Sequence, residues 1–162
     1  MNMTAIKKTI LLVVFSSVMI FNKAVSQPVI GLFDELTEIY PDSKIENPIT
    51  SYSIDAARGT KAAVHILMIK LSGTKSIHFE AKDANGNIAQ GFKWYRMIDV
   101  PVTENTGLDR ATEKFSRKIN PYVIRRAPFR IYEALSPVVS PIAVDSSTIA
   151  LRAEFLIGPE EK

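Results

Sequence analysis

The sequence predicts an all-β domain: an antiparallel β-sandwich of about eight strands, immunoglobulin-like or jelly-roll-like. Three observations carry that expectation. Short runs rich in Val, Ile, Phe, Tyr and Thr recur along the chain, cut by Gly, Pro and Asn, which is the pattern of strands and turns. Asn85-Gly86 stands between two such runs, the strongest short-range hairpin signal. Apolar residues at helical spacing are scarce, and many short strands with little helix favour packed antiparallel sheets.

The elements follow in chain order. Residues 1–26 combine Lys7 and Lys8, an apolar run over Thr9–Phe21, and the small residues Ala24 and Ser26. That is a secretory signal with cleavage before Gln27. The run is shorter than the roughly 20 apolar residues a spanning helix needs, so no membrane attachment is expected after cleavage. Residues 27–162 then form a single domain, long enough to bury its own core. Ile30–Tyr40 opens it, and Pro41-Asp42-Ser43 closes that run. Ile49–Ala56 alternates loosely, and Arg58-Gly59-Thr60 is a break. Ala62–Leu71 (AAVHILMIKL) is the longest apolar run, and its β-branched residues and flanking glycines make it a central strand.

Ser76–Asp83 alternates, with Ile77, Phe79 and Ala81 on one face and His78, Glu80 and Lys82 on the other. The inward set is expected to lie beside Leu67 and Ile69. After the Asn85-Gly86 turn, Ile88–Val100 forms the second hairpin arm. Phe92, Trp94, Arg96 and Ile98 share one face, and Lys93, Tyr95, Met97 and Asp99 the other. Thr103–Asn120 reads as a polar loop with a helical turn or two. Pro128 splits Pro121–Leu135 or places it at a sheet edge, because proline cannot donate to a ladder. Ser136–Ser147 is an extended connection, and Ile149–Ile157 a final strand.

Charge and composition exclude some functions. The whole chain has 20 basic and 17 acidic side chains. Three of the bases, Lys7, Lys8 and Lys23, lie in residues 1–26 with no acid, which leaves 17 against 17. A net-neutral domain without a basic cluster has no nucleic-acid footprint. Cysteine is absent, so the exported domain must be held by its core. No G-x-S-x-G, H-E-x-x-H or P-loop motif is present. His65 reads as a core or sheet-face histidine. His78 and Glu80 share a strand face, but two donors are too few for a metal site. Asp34/Glu35 and Glu160/Glu161 are adjacent pairs whose side chains diverge, unlike an acid/base pair flanking a sugar bond. No catalytic residue, metal site or cofactor is therefore expected. Trp94, the sole tryptophan, and Tyr95 are the carbohydrate-binding candidates, because aromatic rings stack on sugars. The competing role places Trp94 in the core with Tyr95 facing outward.

Four segments in order, LFDELTEIYPDSK, SIDAARGTKAAVHI, APFRIYEAL and TIALR, resemble the N-terminal β-sandwich domain of glycoside hydrolase family 123-like proteins, over roughly Ile30 to Ile157. Where that family has Ala-Arg-Gly-Glu and then Phe-Gln, this chain keeps Ala57-Arg58-Gly59 but has Thr60 and Val64-His65. In the family this domain precedes a catalytic (β/α)-barrel acting on N-acetylgalactosaminides. The barrel's carboxylates have no counterpart here. The resemblance implies an exported, non-catalytic accessory or interaction module, periplasmic or extracellular, with a glycan or another exported protein as partner. The alternative is a small exported enzyme, a glycosidase-type hydrolase with an unrecognised site. Intact-mass measurement of the exported protein should give a chain beginning at Gln27; a product that retains Thr9–Phe21 contradicts the cleavage site.

Overall fold

The apolar run at residues 62–71 becomes the strand around which the rest is built. The computed structural model describes residues 6–9, 27–48, 51–83, 85–104 and 123–158. Their strands are β1 (Ile6–Thr9), β2 (Val29–Asp34), β3 (Ser53–Ala56), β4 (Lys61–Ile69), β5 (Ser76–Ile77), β6 (Phe92–Val102), β7 (Phe129–Pro137), β8 (Ile142–Ala143) and β9 (Thr148–Leu156). All pairings are antiparallel, and the described residues contain no helix. The main sheet has the order β2-β4-β9-β6-β7, with two small sheets, β1-β3 and β5-β8.

β4 is buried along almost its whole length. A strand flanked on both sides and covered on both faces reads as continuous hydrophobic sequence, which is why this segment lacks strict alternation. One face of the main sheet carries Leu32, Val64, Ile66, Met68, Ile149, Leu151 and Ala153. It is covered by Ile77, Phe79 and Ile142, with Tyr52, Ile54 and Val138 packed against them. The other face carries Leu67, Ala150 and Met97 and is covered by Ile39, with Ile45 and Tyr132 alongside. Each aliphatic side chain buried this way contributes about 1.5–3 kcal/mol, so the two layers together hold a chain without disulfides.

Several expectations change in detail. The opening strand stops at Asp34, because Thr37 N–H turns back to the Asp34 carbonyl at 3.0 Å. Ile49–Ala56 contracts to β3, and residues 49–50 lie outside the described set. Ile77, Phe79 and Ala81 are buried as expected, but their neighbours are Ile66 and Met68, not Leu67 and Ile69. Alternation sorts residues into two sets without saying which set meets which layer.

The Asn85-Gly86 turn forms, with Gly86 N–H bonded to the Asp83 carbonyl at 3.0 Å. Only Gly86 of the pair takes positive φ, at 83°. Its arms meet through Asp83 N–H to Asn87 O, Ala89 N–H to Ala81 O and the Lys82–Ile88 bridge, and form no longer ladder among the described residues. The long second arm becomes β6 and pairs with β9 and β7 instead. Thr103 and Glu104 are outside any strand, and 105–120 lie outside the described residues. β7 starts directly after Pro128, at the edge of the sheet, and runs on through Pro137. A bulge opposite Ile98 and Asp99 leaves Glu133 without a paired residue on β6.

Phe79→Ala should cost about 3–5 kcal/mol, the range for deleting a buried aromatic, while Leu36→Ala, at a side chain 88% exposed, should stay within about 0.5 kcal/mol. Denaturant midpoints check both, and equal midpoints for the two variants would contradict the packing of Phe79.

Candidate functional site

An open groove of about 510 Å³ lies where β6 begins, between the Phe79–Gly91 segment and the β7–β8 connection. Strand alternation on β6 places Phe92 and Trp94 on the face that packs against Phe79. Their rings form an aromatic cluster: Phe79 to Trp94 at 4.7 Å between centroids, Phe92 to Trp94 at 6.3 Å, Phe92 to Phe155 at 5.0 Å. Such offset and tilted contacts fix the rings beyond what area burial alone does. The walls are tied to one another. Val138 N–H donates to the Trp94 carbonyl at 3.0 Å, and Phe79 N–H to Ser140 Oγ at 2.9 Å.

Trp94 is shared between the core and the groove. It packs into the core cluster, and it is only half-buried because its remaining surface borders the groove. Behind it the core closes to a void of about 20 Å³ between Leu32, Tyr52, Ile54, Val64 and Phe92. Tyr95 borders the same groove near Pro137, its cross-strand neighbour, although alternation turns it toward the opposite face of the sheet. It is half-buried, not freely outward. Glu80, Gln90 and Lys93 bring polar groups to the lining, and Glu80 is paired with Lys82 at 2.6 Å.

Sequence reasoning missed the aliphatic flank of this groove. Ile88 and Val139 are 67% and 82% exposed, and both line it. The available signal was an isoleucine beside a turn and a valine between two prolines, both placed where a chain usually puts polar residues. The groove itself could not be read, since its two walls lie some fifty positions apart in the sequence.

The other sequence candidates fall elsewhere. His78 is exposed, and among the described residues no three His, Asp or Glu side chains could hold a metal ion. Asp34 and Glu35 do diverge. The Asp34 carboxylate accepts from Tyr52 Oη at 2.6 Å and from Leu36 N–H at 2.7 Å, and these bonds hold it below the usual carboxylate range. Glu35 instead accepts from Arg152 at 2.9 Å. The groove therefore offers aromatic surface and a few hydrogen-bonding groups, an arrangement suited to holding a ligand. No protein-family model matches the chain, and a search of curated proteins finds no match either.

Gly91 shapes the groove's entrance at φ 81°, and a Cβ there meets nothing within 4 Å. The cost of Gly91→Ala is then conformational alone, about 1–2 kcal/mol. Urea unfolding should show that loss, and an unchanged midpoint would mean the backbone relaxes out of the left-handed region.

Proposed function

We propose that residues 27–162 form an exported, non-catalytic β-sandwich module that binds a glycan in the Trp94 groove. The single observation that supports this most is geometric: both aromatics singled out from the sequence border one open groove, backed by Phe79 and Phe92. A rigid half-buried indole offers a flat apolar face to a sugar ring. Glu80, Gln90 and Lys93 can bond hydroxyls around it. A relationship to glycosidase N-terminal domains belongs to the same proposal and rests on the four ordered segments alone.

A second reading, an exported protein as partner, is favoured by Ile88 and Val139. Sugars gain little from two exposed aliphatic side chains, whereas aliphatic patches beside aromatics are common at protein interfaces. The two readings part on mutation. Trp94→Ala should abolish or weaken glycan binding by tenfold or more, about 1.4 kcal/mol, and paired Ile88→Ser and Val139→Ser should leave it unchanged.

A glycan array on the purified mature domain, followed by titration monitored through Trp94 fluorescence, checks the first reading. Binding that survives both Trp94→Ala and Tyr95→Ala would place the ligand on another surface. Chromogenic hexosaminides should not be cleaved. Turnover abolished by replacing one Asp or Glu would instead establish the hydrolase alternative.

A further inference from the structure

The face of the main sheet opposite the groove's aromatic cluster carries a buried histidine linked through a half-buried arginine to an exposed glutamate. His65 is 8% exposed in the middle of β4. Its cross-strand neighbours are Phe33 on β2 and Arg152 on β9. Arg152 Nη1 lies 3.2 Å from His65 Nε2. A guanidinium can only donate, so Nε2 must accept and the ring proton sits on Nδ1. That Nδ1 has no hydrogen-bond partner. The other end of the guanidinium donates to Glu35 Oε2 at 2.9 Å. Glu35 begins the segment 35–45, a strap laid over this face, with Ile39 buried against Leu67, Met97 and Ala150. One guanidinium therefore joins the histidine to the strap's first turn.

We propose that protonation of His65 releases the Glu35 end of this strap, making it an acid-sensitive latch. A proton added at Nε2 points an N–H at the N–H of Arg152 and sets two cations side by side. The contact cannot persist, and Arg152 must turn away from the position in which it holds Glu35. Glu35 and Asp34 favour the charged ring, but burial and Arg152 outweigh them. Asp34 is held by Tyr52 and Leu36. Glu154, 3.9 Å from Arg152, is bonded to Lys61 at 3.1 Å. From β6, Tyr95 lies across from Arg152 and Lys93 across from Glu154. The rest of the strap keeps its own ties, Ile39 in the core and Asp42 to Arg125, so release is confined to the first turn.

Burial, and then Arg152, push the His65 pKa below its ordinary 6.5. The unfolded chain thus binds the proton more readily than the folded one. The histidine's contribution is fully present above pH 6.5 and is lost as pH falls through that value toward the lower folded pKa.

The chain has no cysteine, so Leu36→Cys carries a single environment-sensitive fluorophore on the strap's first turn. Its signal should change in a one-proton transition below pH 6.5, at the same midpoint as the His65 imidazole resonances in the NMR spectrum. His65→Gln, which keeps an acceptor near the Nε2 position but cannot be charged, should abolish the transition. If that variant does not fold, Glu35→Ala serves, because it leaves Arg152 no acceptor on the strap: the label should report the released signal already at neutral pH and show no further change. A label signal that stays constant while His65 titrates overturns the latch, as does a transition that persists in either variant.

Discussion

The structure depends on one constraint: β4 must be kept from water on both faces. Seven consecutive residues, Ala62 to Met68, are buried, and no single layer can cover a strand whose side chains alternate. The small β5-β8 sheet and β3 cover one side, and the strap through Ile39 and Ile45 covers the other. β9 closes one edge of β4 along nine paired positions and β2 closes the other along six. The arrangement leaves β2 and β7 as the outer strands of the sheet. There the bulge at Glu133 and the Arg130–Asp99 ion pair interrupt the flat ladder, as charged and bulged edges commonly do.

The groove follows from the same layering. The second layer is short, because β5 and β8 are two residues each. It covers Ile66, Met68 and Leu151 but ends before the start of β6. Phe92 and Trp94 are therefore core residues on one side and groove residues on the other. This explains how one indole can be packed at 4.7 Å against Phe79 and still border the groove. The covered face of the sheet works differently. It buries a histidine whose neighbours on β2 and β9 are set by register, and it ties the covering strap to that histidine through a single arginine.

Legibility in the sequence tracked how local the cause was. β4 and β9 were visible because a doubly covered strand needs a continuous or strongly alternating apolar run. The inward set Ile77, Phe79 and Ala81 was visible for the same reason. The turn at Gly86 was visible because its positive φ is a property of one residue. The partners of these elements were not visible. The second arm of the hairpin was assigned to the nearest strand, yet β6 pairs with β9, whose Leu151 and Ala153 join the main core cluster and whose Phe155 packs with Ala62 and Ile157. Residues 35–40 were read with the opening element Ile30–Tyr40, although Ile39 reaches the core from outside any strand. Trp94 and Tyr95, named from the sequence as carbohydrate-binding candidates, border one groove, but the residues opposite them come from a segment read as a mere connection.

The central claim, that double-sided burial of β4 organises the molecule, predicts a hierarchy of backbone protection. Native-state hydrogen exchange resolves it residue by residue, since the most buried ladders open only with global unfolding. The amides of β4 and β9 from Val64 to Leu67 and from Ala150 to Ala153 should exchange slowest, with the free energy of global unfolding, and those of the outer strands β2 and β7 should exchange faster. Protection of β4 equal to or below that of β7 would contradict the account.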